Sequence, residues 1–223
     1  MGMLLKTIAS DGHAFDTYIA QPDGPPPLGG LFIIQEIFGL NKHIKSIADR
    51  YAREGYLVAA PALFDRIDKC IELNYDSNDI EKGRDLKNTI GDELPLQDID
   101  AARSIASAAG KVGIIGFCWG GTLAWLASCK LPGLACVSSY YGGGIAGLMS
   151  FTAKCPVIFH FGMEGDAISL EEVENIRISQ PDNHVHLYPS GHGFNCSQRR
   201  DFEPISSKIA EERTLEFLKK NLA

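Results

Sequence analysis

Gly116-Phe117-Cys118-Trp119-Gly120-Gly121 is the run with the most chemistry in this 223-residue chain. It follows Lys111-Val112-Gly113-Ile114-Ile115, which reads as a buried strand, and leads into a helical stretch from Thr122 to Cys129. A chain that turns straight from strand into helix leaves little room two positions either side of the apex. Glycine at 116 and 120 answers that need. A cysteine at the apex projects its sulfur above the sheet edge. The helix N-terminus aims free N–H groups and positive dipole at it, favouring a thiolate and an oxyanion beside it. The chemistry of such a site is acyl transfer through a nucleophilic thiol. A packed cysteine in a glycine-rich turn is the competing reading, and the strand–turn–helix context weighs against it.

A nucleophilic thiol needs a base. Of six histidines, His192 stands in Pro189-Ser190-Gly191-His192-Gly193-Phe194, a loop after the last strand. That place, last in the order nucleophile, acid, histidine, suits it. His13, His43, His184 and His186 read as surface or core residues, and His160 as a packed strand residue. An acid to orient the imidazole is expected after the strand Val157–Phe161, in Gly162-Met163-Glu164-Gly165-Asp166. Asp166 is the first choice and Glu164 the reserve. Asp166 could instead cap the helix that follows. Gln35-Glu36-Ile37-Phe38-Gly39 comes directly after the strand Gly30–Ile34. The backbone N–H groups of Ile37 and Trp119 are the expected pair of oxyanion donors. Glu36 is expected near Cys118, where a carboxylate raises the thiol's pKa by like-charge repulsion. Phe38 and Tyr141 are candidate substrate contacts.

The elements that must position these residues alternate in type. Strands are expected at Gly30–Ile34, Tyr56–Ala60, Lys111–Gly116, Leu134–Ser139, Val157–Phe161 and His184–Leu187, with a shorter one ending at Ala20. Helices are expected from Lys42, capped by Asn41, to about Glu54, and over Leu96–Ala109, Ser169–Ser179 and Glu203–Lys220. Residues 62–95 are polar with weak periodicity and read as an excursion of short helices, a lid over the site. Alternating strands and helices give one α/β domain over residues 1–223: a mostly parallel central sheet with helices on both faces.

Composition narrows the function classes. Hydrophobic residues are 45% and charged residues 22%, so the chain can build a core. The net charge of -7, with no basic stripe, argues against a nucleic-acid partner. No run of 18 apolar residues and no signal-peptide pattern at the N-terminus points to a cytoplasmic protein without a membrane partner. Six cysteines, at 70, 118, 129, 136, 155 and 196, form no Cys-x-x-Cys pair. They are expected as free thiols, five of them small buried hydrophobes, with no metal.

Gln35–Gly39, the Cys118 turn and Gly191-His192-Gly193-Phe194-Asn195 together resemble the dienelactone hydrolase family (carboxymethylenebutenolidase), over about Leu28 to Leu218. The resemblance implies the α/β-hydrolase fold, a Cys118–His192–Asp166 triad and no cofactor. It implies hydrolysis of a small ester or enol-lactone, such as dienelactone to maleylacetate. It also implies that Glu36 meets the resting thiol, is displaced by substrate and takes the thiol's proton. The sequence departs from the family at two points: the acid expected at 165 falls at Asp166, and the substrate-binding arginine four residues after the histidine is Cys196. A thioesterase or general esterase is the alternative enzyme. A non-catalytic binding protein is the alternative outside catalysis. A monomer or weak homo-oligomer is expected.

Overall fold

The computed structural model describes residues 2–165 and 167–222. Eight strands form one sheet: β1 (Met3–Ile8), β2 (Ala14–Ala20), β3 (Gly30–Ile34), β4 (Leu57–Pro61), β5 (Val112–Phe117), β6 (Leu134–Tyr140), β7 (Val157–Gly162) and β8 (His184–Tyr188). Their spatial order is β1-β2-β4-β3-β5-β6-β7-β8. β1 and β2 pair antiparallel, as do β2 and β4, and the remaining neighbours are parallel. The helices are α1 (Lys42–Arg53), α2 (Ser77–Ile90), α3 (Glu93–Ala106), α4 (Trp119–Lys130), α5 (Leu170–Ser179) and α6 (Pro204–Leu222).

Strand side chains alternate in direction, so each central strand feeds two cores. Phe32 and Ile34 of β3 and Ile114 of β5 join Leu96 and Ile99 of α3, Trp125 of α4 and Ile176 of α5. Leu31 and Ile33, with Ile115 and Phe117, join Ile44 and Ile47 of α1 and Phe217 and Leu218 of α6. Helices therefore cover both faces, as expected for a parallel sheet. α4 is buried from Trp119 to Cys129, which explains its nearly unbroken apolar composition. No described helix is long and apolar enough to cross a membrane.

Local rules set the ends of these elements. Asn41 caps α1, its Oδ1 accepting from the Ile44 N–H at 3.2 Å. Ser169 and Glu172 make a reciprocal capping box at α5. The excursion contains one long helix, α2, of 14 residues. A Cβ on Gly83 would lie 2.3 Å from the Ile37 carbonyl oxygen, so only glycine lets α2 come this close to the segment after β3.

The turn between β5 and α4 is equally tight. A Cβ on Gly116 would lie 1.9 Å from the Gly120 oxygen, and one on Gly120 2.4 Å from the Ile34 oxygen and 2.5 Å from the Gln35 oxygen. Those contacts are backbone, which no side-chain rotation relieves. Gly120→Ala is therefore expected to cost about 3 kcal/mol, the upper range for overpacking. The melting temperature should fall by about 6–12 °C, at 2–4 °C per kcal/mol for a chain of this size. Gly147→Ala, which would meet nothing within 4 Å, is the control. Equal melting temperatures for the two variants would contradict the packing argument.

Candidate active site

Cys118 occupies the tight turn with φ 53° and ψ -118°, a left-handed conformation that costs a non-glycine residue about 1–3 kcal/mol. Its N–H donates to the Tyr140 carbonyl at 2.9 Å, anchoring the apex to the end of β6. His192 comes from the loop after β8, and its Nε2 stands 3.1 Å from Cys118 Sγ. The imidazole packs against the Tyr141 ring at 5.1 Å, and Tyr141 itself is buried at φ 40° beneath it. Burial, then the charge of Arg199, lowers the His192 pKa to about 4. Burial, then the charge of Glu36, raises the Cys118 thiol to about 11. Both shifts favour a neutral imidazole beside a neutral thiol over an ion pair.

His192 Nδ1 is buried with no hydrogen-bond partner among the described residues. Glu164 is exposed on the cleft wall, with its N–H donating to the Ser190 carbonyl at 3.0 Å. Asp166, the acid favoured by the sequence, lies outside the described residues.

Glu36 is fully buried. Its Oε1 is 3.4 Å from an Arg199 guanidinium nitrogen, and its Oε2 accepts from the Tyr75 hydroxyl at 3.3 Å. Burial raises its pKa, against the opposing pull of Arg199 and then Tyr75. Both contacts are at the long end of hydrogen bonding, so the buried carboxyl group is held loosely. Asn41 carries the fold into the site: its Nδ2 donates to the Leu73 carbonyl at 3.3 Å and to the Tyr75 hydroxyl at 3.1 Å. Phe38 packs on Tyr75 at 4.4 Å and lies 5.9 Å beneath the Arg199 guanidinium. Trp119, next to Cys118, donates its indole N–H to Asp92 at 2.8 Å and stacks on Phe64 at 5.4 Å.

A cleft of about 820 Å³ opens above Cys118 and His192. Ile37, Phe38 and Trp119 line it, whereas Tyr141 is fully buried and is not among its lining residues. α2 lines the cleft through Ile80, Arg84 and Lys87, and the segment after His192 lines it through Arg199 and Arg200. The spacing of 80, 84 and 87 places those three on one helix face, a signal present in the sequence. His43, expected as a bystander, is buried against the site, where burial, then Arg50 and Arg199, lower it to about 4. His160 is packed as expected, bonded to Tyr188 and Thr214. Cys70 departs from expectation: it is exposed with φ 58°, and Cys155 is only partly buried, whereas Cys129, Cys136 and Cys196 are buried. None of the six is in a disulfide.

The model of the dienelactone hydrolase family matches residues 15–222. A Yersinia pestis protein named "Putative carboxymethylenebutenolidase" is 32% identical over 95% of this chain and 85% of its own length. A protein of the same name from Synechocystis is 30% identical over 98% of this chain and 96% of its own. The crystal structure of a Klebsiella pneumoniae protein named "Putative Dienelactone Hydrolase" matches with a TM-score of 0.85 and 27% identity, covering 97% of this chain and 98% of that one. A Pyrococcus furiosus esterase, at 14% identity and a TM-score of 0.70, shares the fold, covering 100% of this chain and 93% of its own.

Proposed function

This chain belongs to the dienelactone hydrolase family, and from that membership we propose that it hydrolyses small carboxylic esters or lactones through the thiol of Cys118. The observation that carries this reading is the 3.1 Å approach of His192 Nε2 to Cys118 Sγ at a strained strand–helix turn. His192 takes the thiol's proton as sulfur attacks the substrate carbonyl. The oxyanion forms within reach of the Trp119 and Ile37 N–H groups. Collapse expels the enolate or alkoxide, which His192 protonates, leaving a thioester on Cys118. His192 then deprotonates a water that cleaves the thioester and releases the acid. Asp166 is the acid assigned to hold His192 Nδ1. Glu36 keeps the thiol protonated until substrate displaces the carboxylate, and the proton then passes to His192.

Substrate charge follows from the cleft walls. Arg84 and Lys87 line the cleft from α2, and Arg199 and Arg200 line it as well. We assign them the carboxylate of an anionic substrate such as dienelactone, a task for which position 196 offers only a thiol. A mixture of carboxylated lactone and neutral aryl ester separates the parts of this reading. An activated aryl ester should give a burst of one equivalent of phenol, with the acyl group recovered as a thioester on Cys118. Arg84→Gln should raise KM for the carboxylated lactone about tenfold, the lower end for a charged hydrogen bond, and leave the neutral ester unchanged. A matching loss on both substrates would place Arg84 outside the anion subsite, and absence of a burst would remove the acyl-enzyme.

A further inference from the structure

Glu36 also belongs to a second cluster of side chains. One ring nitrogen of His43, the sulfur of Cys196 and a Glu36 oxygen all lie within 4.8 Å of one another. All three residues are buried, at 4%, 0% and 0% exposure. His43 Nε2 is buried with no hydrogen-bond partner among the described residues. A buried ring nitrogen without a partner is costly unless something else satisfies it. Neither His43 nor Cys196 has a part in the proposed hydrolysis.

We propose that Glu36, His43 and Cys196 form a binding site for a zinc ion. Sulfur, imidazole nitrogen and carboxylate oxygen are the donor types zinc selects, and the mixed set disfavours magnesium or calcium. Tetrahedral zinc with bonds of about 2.0–2.3 Å places its ligand atoms about 3.3–3.8 Å apart, so side-chain movements of about 1 Å close the site. The Tyr75 hydroxyl, bonded to Glu36 Oε2, and its ring, edge-on to His43 at 6.4 Å, stand beside the same cluster. A water or the Tyr75 oxygen can take the fourth position. His43 also lines a second cavity of about 390 Å³, with Ser46, Asn195 and Phe202, which gives the ion a way in. Binding replaces the Cys196 S–H proton with a zinc–sulfur bond and releases the proton to solvent.

Zinc so held would draw the Glu36 carboxylate off Cys118 and Arg199. It would therefore inhibit hydrolysis, a consequence that rests on the role proposed above for Glu36. The test reads binding instead, so the two readings fail separately. Metal-free protein is titrated with zinc against a chromophoric chelator, and with cobalt for its thiolate charge-transfer band. One equivalent is expected to bind to the natural protein and to Cys118→Ala alike, with the cobalt band present in both. Cys196→Ser and His43→Gln should each weaken zinc by more than about 100-fold, since losing even an outer partner of a ligand costs 10–100-fold. Cys196→Ser keeps the volume of the thiol, and unchanged melting temperatures without metal would show that the loss is one of ligation. Absence of stoichiometric binding overturns the site. Binding lost in Cys118→Ala and kept in Cys196→Ser also overturns it, placing the ion on Cys118 and His192.

Discussion

Cys118→Ala is expected to lower hydrolysis of both lactones and aryl esters by about 10⁵–10⁶-fold, the scale seen when a nucleophile acting as one unit with its histidine is removed. Alanine keeps the Cβ and thus the shape of the turn, so secondary structure and melting temperature should stay close to those of the natural protein. Cys118→Ser should recover only a small part of the loss. A neutral imidazole lowered to about 4 is a weak base, and a serine hydroxyl is a far weaker acid than a thiol. The other thiols supply the contrast. Cys70, Cys129, Cys136 and Cys155 do not line the cleft, and their single substitution should leave most of the activity. Specificity constants for the variants, with a melt for each, check the expectation. Hydrolysis retained by Cys118→Ala beyond trace contamination would end the thiol mechanism.

How far such a site can be read from sequence depends on where its constraint lies. The Cys118 turn was legible because its constraint is local: glycines at 116 and 120 answer clashes with backbone a few residues away or on the next strand. The central strands were legible because burial on both faces demands unbroken apolar runs, and Gly30–Ile34 appears with the expected bounds. β1 was missed. It is an edge strand whose residues are mostly exposed, so it carries no alternation to read. α2 dissolved into short helices because only Gly83 and Ile90 of its residues are buried, which leaves hardly any apolar stripe.

The surroundings of Glu36 escaped for a different reason. Arg199 lies 163 positions from Glu36, and Tyr75 lies 39 positions away. No periodicity connects them; only the return of the last loop and of the excursion over the sheet edge brings them together. His43 illustrates the same limit. On α1 it occupies a buried position like its neighbours Ile44 and Ile47, so its pattern in sequence is that of a core residue. Its nearness to Glu36 and Cys196 follows from the sheet, not from the helix.

Glu36→Gln is expected to make Cys118 more reactive toward iodoacetamide and the enzyme slower toward its substrate. The thiol is raised to about 11 from an ordinary 9.0, first by burial and then by the Glu36 charge, with Arg199 opposing. Glutamine removes the carboxylate and leaves the burial and Arg199. The sign follows directly: one negative charge fewer beside the sulfur favours thiolate, so the pKa falls. Because burial is the larger cause and survives, the curve should move only part of the way back. Below the pKa, each unit of that fall raises the thiolate fraction, and with it the alkylation rate, about tenfold. The gain should hold wherever Glu36 is ionised and both proteins keep the thiol mostly protonated, and should vanish well above pH 11, where both are thiolate. Turnover should change in the opposite direction, because the carboxylate whose displacement by substrate is proposed to trigger the thiol has gone. Arg199→Gln is the complementary variant: it removes the charge that opposes Glu36, so its alkylation curve should shift to higher pH. Alkylation followed across the pH range in the three proteins decides the matter. Superimposed curves would show that Glu36 does not act on the thiol, and would reduce it to a prop for the loop that presents the Ile37 N–H.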